Sequence, residues 1–309
     1  MREYPKNIPA SIHSRLANKA KNLNKPFGEL LQHYGMERFL YRLSKTKYAG
    51  SFILKGGLIF TFWNIPIRRP TRDIDFLGLI DNSKETILEV LKAAMSISIP
   101  EDGVIFDIST ITVETKQVDS ERVGIRAFFL GYLGRAEIPM QIDIGFSDEI
   151  SSPIKNINYP TLLEGIANPL LNGYPPEAVV AEKFHAMQRF VERPSRWKDY
   201  YDVWLISENF RFEDKILQNA IFKTFKNRAT EIPTAQPASL SAKFAFDYDV
   251  EWKRFYDKND LGNNEISNLP QLIEMIWNFL KYPLLELAIQ NTNHENLYWQ
   301  PTKKEWESG

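Results

Sequence analysis

The sequence predicts an α/β protein of the α+β type, with a mixed sheet preceded by N-terminal helices and followed by a C-terminal helical domain. Helical patterns come first, strand-like segments alternate with turns up to Phe146, and helical spacing returns beyond Tyr174. The chain has 309 residues, enough for one large domain or two modest ones. We therefore expect a first domain over residues 1–172 and a second over residues 173–309.

The N-terminal segment is predicted to be helical. Apolar residues recur at helical spacing from Ile12 to Leu23 and, after a break at Pro26, from Phe27 to Tyr34. A further short helix is expected over MERFLYRLSKTKYAG, which leads to the first strand.

The central segments are predicted to form the sheet. SFILKGG is typical of a short strand that ends in glycines, and DIDFLGLI of a second strand. The apolar LIFTFWN between them could be a buried helix, which periodicity alone leaves open. Ser83 can cap a helix that runs to Ala94. Three more strands are expected, in GVIFDISTITVET, VGIRAFFLGYL and IPMQIDIGF.

The second half is predicted to be mainly helical. The proline-rich stretch SSPIKNINYPTLLEGIANPLLNGYPP is expected to be irregular and to contain the domain boundary. Helices are predicted in PEAVVAEKFHAMQRF and KDYYDVWLISENF, around Lys215 to Phe225, and from Leu269 to Leu287. The aromatic and charged FAFDYDVEWKRFYDKNDLG is expected to be a connector.

Composition excludes several classes of protein. Lys and Arg number 38 against 39 Asp and Glu, so attraction to a polynucleotide would need a local basic patch. The sequence has no cysteine, which excludes disulfides and thiolate metal sites and favours a reducing cytoplasm. No apolar run approaches the ~20 residues that span a bilayer, so no membrane partner is expected. The four histidines lack metal-ligand spacing, and neither G-x-S-x-G nor H-E-x-x-H occurs.

Two carboxylates form the first candidate site. Side chains alternate along a strand, so Asp73 and Asp75 share one face and repel each other unless a cation lies between them. A hard cation such as Mg²⁺ binds oxygen ligands and can hold nucleotide phosphates at the same time. Two solvated acids at a strand end are the alternative.

A glycine pair next to the acids makes the prediction of a cation site more specific. Gly56 and Gly57 let backbone N–H groups approach an anion closely, although a strand-to-helix turn also favours glycine. Together with Arg69 and Thr71 of the run R-x-T-x-D-x-D, they predict an anion cradle beside a metal-binding pair.

A third acid can join the pair. In IPMQIDIGF, Asp143 lies on the face away from the apolar side chains, and a neighbouring position to the D-x-D strand would bring three carboxylates together. Two-metal phosphoryl transfer uses such a set. Asp107 in VIFDIST could be the third acid instead of Asp143. Alternatively, Asp143 is only a polar residue that faces solvent.

These motifs, with EAVVAEKFHAM and KDYYDVW further along, resemble the AbiEii/AbiGii toxin family of nucleotidyltransferases within the DNA polymerase beta superfamily, from about Pro9 onward. The resemblance implies a nucleoside triphosphate substrate, Mg²⁺ or Mn²⁺, and an acceptor hydroxyl, with tRNA 3′ ends as acceptors for some members. It also implies a cognate antitoxin and a role in toxin–antitoxin or phage-defence systems.

The resemblance extends to residues of the helical half. Lys183 matches the family lysine, which as a point charge could neutralise triphosphate oxygens. Asp199 matches the later acid, expected to orient Lys183 or to assist proton removal from the acceptor, with Asp202 as second choice. The wider superfamily usually has Gly-Ser at Gly56-Gly57, so Lys55, a nearby hydroxyl or backbone amides would replace the serine. The implied catalytic set is Asp73, Asp75, Asp143, Lys183 and Asp199, with Lys55, Gly56, Gly57, Arg69, Thr71 and Lys183 around the nucleotide. The implied metal ligands are Asp73, Asp75 and Asp143.

Two other functions fit the same residues. One is an enzyme that modifies protein with a triphosphate, by nucleotidylation or by kinase-like transfer. The other is a non-catalytic module that binds a nucleotide. Retention of both acids of the D-x-D pair with Lys183 and Asp199 favours the enzyme.

Overall fold

A computed structural model describes residues 7–65, 71–117, 123–146, 154–189, 196–262, 266–289 and 295–309. The chain divides into two compact units, Met1–Tyr174 and Pro175–Gly309. Within the described ranges, no helix combines the length and apolar character that a membrane crossing requires.

The first unit begins with two helices, α1 (Ile8–Asn22) and α2 (Phe27–Leu43). The separate short helix expected from Met36 is wrong, because α2 runs without a break through this segment. Gly35 does not interrupt α2. It allows a close approach to the sheet, since a Cβ added there would lie 2.6 Å from the Ile138 Cγ2 atom.

The first unit contains a seven-stranded mixed sheet, which confirms the predicted fold class. Its strands are β1 (Phe52–Lys55), β2 (Ile74–Gly78), β3 (Val104–Gln117), β4 (Val123–Leu133), β5 (Ala136–Phe146), β6 (Ile154–Asn158) and β7 (Leu170–Gly173). They lie in the order β3-β4-β5-β2-β1-β7-β6. The β2–β5 and β1–β7 pairs are parallel and the other pairs are antiparallel.

Strands β6 and β7 correct the expectation of an irregular segment. Both are short, and their proline- and asparagine-rich surroundings give no alternating pattern. Backbone hydrogen bonds to other segments of the chain hold them as strands. β7 pairs with β1, and the Tyr159 N–H donates to the Pro169 carbonyl. Pairing of this kind depends on tertiary context rather than on local sequence.

Two helices of the first unit connect strands. LIFTFWN forms α3 (Leu58–Phe62), which settles the question that periodicity left open. The predicted helix after Ser83 is α4 (Lys84–Met95), and the Ser83 hydroxyl accepts a hydrogen bond from the Thr86 N–H. Helix α4 packs on β3 and α2 packs on β5. The expected core face of α4 is buried and consists of Ile87, Val90, Leu91 and Ala94.

The second unit is mainly helical, as the sequence predicts. Its helices are α5 (Pro176–Arg189), α6 (Trp197–Asn209), α7 (Asp214–Asn227), α8 (Ala242–Lys258) and α9 (Leu269–Ala288). A small antiparallel sheet that the sequence analysis missed is formed by β8 (Phe212–Glu213), β9 (Leu297–Gln300) and β10 (Glu305–Ser308). The Trp299 indole anchors this sheet by donating to the Ser207 carbonyl at 2.7 Å.

Helix α8 replaces the expected connector. Its N-terminus is capped by the Ser241 hydroxyl, which accepts from the Phe244 N–H at 3.1 Å. Phe244, Tyr248 and Trp252 recur every fourth residue and pack with Trp197 on one face. The charged residues between these aromatics dilute the apolar pattern, so the segment resembles a loop in composition.

Candidate active site

The strand register brings five charged residues into one row across the sheet. Cross-strand neighbours are Glu114 with Arg126, Arg126 with Asp143, Asp143 with Asp75, and Asp75 with Lys55. Residues directly opposite each other on neighbouring strands point to the same face. The row therefore crosses β3, β4, β5, β2 and β1 in that order.

Charges alternate along this row except at one place, where Asp143 and Asp75 are adjacent. Asp73 lies beside them, and one carboxylate oxygen from each of the three residues falls within 4.8 Å of the others. Adjacent like charges are destabilising unless a cation separates them. The cluster has only oxygen donors, the set that suits a hard divalent cation.

Asp107, the rival third acid, lies elsewhere on the sheet. It pairs with Leu130 on β4, so β4 separates it from the Asp143 strand. Its carboxylate accepts hydrogen bonds from the backbone N–H and the hydroxyl of Ser109, at 2.9 and 2.6 Å. The structure therefore groups Asp143, and not Asp107, with the D-x-D pair.

Two cations that sequence reasoning missed hold the Asp143 carboxylate. Arg126 donates to both of its oxygens, at 2.7 and 2.8 Å, and the Lys116 amine donates to Oδ2 at 2.5 Å. Burial alone would raise the pKa of Asp143, but the hydrogen bonds from Arg126 and Lys116 outweigh it and hold the pKa below its ordinary value. A carboxylate has about four lone-pair sites, so a position on Oδ1 remains for a metal ion.

The contact with Asp143 also changes the pKa of Arg126. The hydrogen bond to Asp143 raises the pKa of the guanidinium above its ordinary value, and the charges of Asp143, Glu114 and Asp73 add to this effect. The Arg126 guanidinium thus lies in the field of Asp143, Glu114 and Asp73. No local motif identifies it, because the Arg126 partnership depends on the register between β4 and β5.

The glycine turn is shaped by the neighbouring acid and hydroxyl. Gly56 has a φ of +66°, and a Cβ there would lie 2.7 Å from the Cβ and Cγ of Asp75. A Cβ on Gly57 would lie 2.9 Å from the Thr71 Cγ2 and closer still to the Thr71 hydroxyl. Helix α3 is only five residues long, so the turn's own N–H groups, rather than a helix dipole, are the natural anion donors.

Lys55 lies on the opposite side of Asp75 from Asp143. Its amine is 5.5 Å from the centre of the Tyr174 ring and 3.8 Å from the position of a Cβ on Gly145. A Cβ on Gly145 would be in ordinary van der Waals contact with this amine. Arg69, predicted to bind phosphate, falls outside the described residues.

Lys183 and Asp199 lie in the second unit, where both predicted acids of α6 contact the lysine. The Lys183 amine is 2.9 Å from Asp199 Oδ1 and 2.7 Å from Asp202 Oδ2. The two aspartates lie three residues apart on one face of α6, and Asp202 is completely buried. The lysine amine is thus fixed by two carboxylates rather than by Asp199 alone.

This pairing predicts unequal effects on stability. Lys183→Met removes the cation that two buried acids share, so we expect a loss of about 3–5 kcal/mol in the free energy of unfolding. Asp202→Asn leaves Lys183 paired with Asp199 and should cost less. Urea denaturation of the two variants checks the order. Equal losses would show that the lysine depends on Asp202 alone.

His185 is a buried histidine of α5. Its Nδ1 lies 2.8 Å from an Arg228 guanidinium nitrogen and its Nε2 lies 3.0 Å from the Thr230 hydroxyl. The side chain is buried. Both ring nitrogens therefore have hydrogen-bond partners.

Comparisons with known proteins point to one family. A family model described as "Nucleotidyl transferase AbiEii toxin, Type IV TA system" matches residues 38–279, and no curated protein matches significantly. Two crystal structures from Helicobacter pylori are similar over 85% of this chain, each with a TM-score of 0.45. One is a candidate nucleotidyltransferase, 15% identical and covered over 98% of its length. The other is JHP933, 16% identical and covered over 94%.

The family match covers most of the chain and includes the glycine turn, the acidic cluster and the Lys183 segment. It confirms the resemblance inferred from the motifs and the prediction of a nucleotidyltransferase enzyme. The chain therefore belongs to the AbiEii nucleotidyl transferase toxin family of type IV toxin–antitoxin systems.

Proposed function

We propose that this protein transfers a nucleotidyl group from a nucleoside triphosphate to the 3′ hydroxyl of an RNA, such as a tRNA, with Mg²⁺ or Mn²⁺ bound by Asp73, Asp75 and Asp143. The observation that carries the proposal is the convergence of these three carboxylates beside a glycine turn. In this reaction the acceptor oxygen bonds to the α-phosphorus, the bond to the β-phosphate breaks, and pyrophosphate leaves.

The first unit would bind the triphosphate through several groups at the glycine turn. Backbone N–H groups of Gly56 and Gly57 would donate to phosphate oxygens, with the Thr71 hydroxyl beside Gly57 and the Lys55 amine of β1. Arg69 of the same motif would add a further cation. A bound divalent ion supplies charge neutralisation for the phosphates and lowers the pKa of the attacking hydroxyl.

Asp143 suits metal ligation better than proton acceptance. Hydrogen bonds from Arg126 and Lys116 hold its pKa low, so the carboxylate is a weak base but a permanently charged ligand. In the second unit, Lys183 would neutralise triphosphate oxygens, and Asp199 with Asp202 would fix the position of its amine.

The family assignment supports the biological setting that we propose. A toxin of a type IV toxin–antitoxin system implies a cognate antitoxin protein as partner. We include a role in phage defence and a cytoplasmic location in the proposal. The cytoplasmic location rests on the absence of cysteine from the sequence.

Nucleoside triphosphates labelled at the α- or the γ-phosphate test the reaction. With total RNA, cell protein and Mg²⁺, we expect the α-label to enter RNA and the γ-label to leave with pyrophosphate. Entry of the α-label into protein would support protein nucleotidylation instead. Entry of the γ-label into any product would support kinase-like transfer, and calorimetric binding without label transfer would support a non-catalytic module.

A further inference from the structure

The charged row has two flanks that differ in chemistry. On one side of the acidic pair lies the glycine turn, directly after β1. On the other side lie Arg126 on β4, Glu114 opposite it on β3, and Lys116 two residues further along β3. In nucleotidyl transfer, the attacking and leaving oxygens lie roughly in line on opposite sides of the α-phosphorus. If the pyrophosphate occupies the glycine side, the acceptor must approach from the Arg126 side.

The acceptor side carries cations that are within reach of solvent. The side chains of Lys116 and Arg126 are 38% and 28% exposed. Both bind Asp143, whose charge a divalent cation would share. A metal ion at the acids would therefore leave part of the positive charge of these two cations unneutralised. Glu114, opposite Arg126 on β3, still compensates Arg126, so Lys116 contributes most of the charge that faces an incoming anion. A phosphate of the acceptor chain fits this position.

The next residue on the same face of β4 is aromatic. Phe128 follows Arg126 by two positions and is half-buried, whereas the residues on either side of it, Ala127 and Phe129, are fully buried. It therefore lies on the same open face as Arg126, about 7 Å further along the strand. Cations next to an aromatic ring are the combination that binds single-stranded nucleic acid, through phosphate contacts and base stacking.

We propose that Lys116, Arg126 and Phe128, here called the acceptor patch, bind the 3′-terminal nucleotides of a single-stranded polynucleotide acceptor. This inference rests on the proposed function and names the acceptor class and its path. The cations of the patch hold the phosphate that precedes the terminal nucleotide, and Phe128 stacks with a base. The terminal hydroxyl then reaches the acids from the side opposite the leaving group.

The binding of a short fluorescent single-stranded RNA of mixed sequence, measured by anisotropy with Mg²⁺ and without triphosphate, tests the patch. Lys116→Gln keeps a donor for Asp143 but removes the charge. We expect weaker binding and a plot of log affinity against log salt whose slope is smaller by about 0.7, the value for one single-strand phosphate contact. Phe128→Leu keeps the apolar volume and should weaken binding at least about fivefold with the slope unchanged.

The matched control is Lys92→Gln, which removes the same charge from an exposed position of α4, outside the row. It should change neither the affinity nor the slope. Thermal unfolding verifies that all three variants are folded. Identical salt slopes for Lys116→Gln and Lys92→Gln would overturn the proposal, since a lysine that only positions Asp143 does not alter the slope.

The labelled-triphosphate assay separates this inference from the proposed function. Transfer of α-label to RNA by an enzyme whose RNA binding ignores Lys116 and Phe128 would overturn the acceptor patch and leave the proposed function standing. RNA binding that depends on the patch, in an enzyme that transfers no label, would overturn the proposed function and leave the patch standing.

Discussion

Asp75→Asn should reduce nucleotidyl transfer by about a thousandfold, equivalent to roughly 4 kcal/mol of transition-state stabilisation. Asp75 lies between Asp143 and Lys55 in the charged row, and its carboxylate is close to that of Asp73. It therefore contributes to any metal site that the three acids form. Asparagine has the same shape and keeps the close packing against Gly56. The loss therefore falls on charge rather than on structure.

The same substitution should change the stability of the metal-free protein by no more than about 1 kcal/mol. It removes the cross-strand repulsion between Asp75 and Asp143 but also the attraction between Asp75 and Lys55 on β1. Thermal unfolding without metal measures this, and calorimetric titration with Mn²⁺ should show weaker binding. Asp107→Asn is the matched control, because this acid lies on the same sheet outside the cluster. Equal activity losses in the two variants would contradict the site.

Period-two alternation was sufficient to predict much of this site. It places Asp73 and Asp75 on one face and Asp143 on the polar face of its own strand, and the described structure brings these faces together. Alternation within a strand does not give the register between strands. The contacts of Arg126 and Lys116 with Asp143 depend on that register, so the sequence identifies the acids but not their cationic partners.

The long periodic elements of the fold were predictable from the sequence, whereas the short strands were not. Long periodic segments such as α4 and α9 agree with their predicted positions because each carries a full apolar face. β6 and β7 are four or five residues long and depend on pairing that begins at β1, far away in sequence. Helix α8 had a readable aromatic repeat, but the charges between the rings concealed it.

Gly57→Ser should disturb the glycine turn even though serine is small. Its Cβ would lie 2.9 Å from Thr71 Cγ2 and closer to the Thr71 hydroxyl, so one of the two segments must shift. Forcing atoms into a packed site costs typically about 1–3 kcal/mol of stability. The shift also moves the backbone N–H groups proposed to bind phosphate, and a misplacement of about 1 Å can reduce the rate roughly a hundredfold.

A second substitution at Thr71 should rescue this variant. Thr71→Ala removes the two atoms that clash, and the remaining Thr71 Cβ would lie 3.2 Å from the new Cβ, a tight but tolerable contact. The double variant Gly57→Ser/Thr71→Ala has again one hydroxyl at the turn, donated now from position 57. We expect it to recover most of the stability lost in Gly57→Ser and to transfer nucleotides faster than either single variant.

The rescue follows from the geometry because the two positions compete for one volume. Thr71→Ala alone loses the hydroxyl proposed to contact phosphate, whereas Thr71→Ser keeps it and should retain most activity. Triphosphate affinity by calorimetry and thermal midpoints are measured for the wild type, Gly57→Ser, Thr71→Ala and the double variant, which together form the double-mutant cycle. A double variant no better than Gly57→Ser would mean that the hydroxyl cannot be exchanged between the two positions. Thr71 would then have a structural role, and backbone amides with Lys55 would be left to bind the triphosphate.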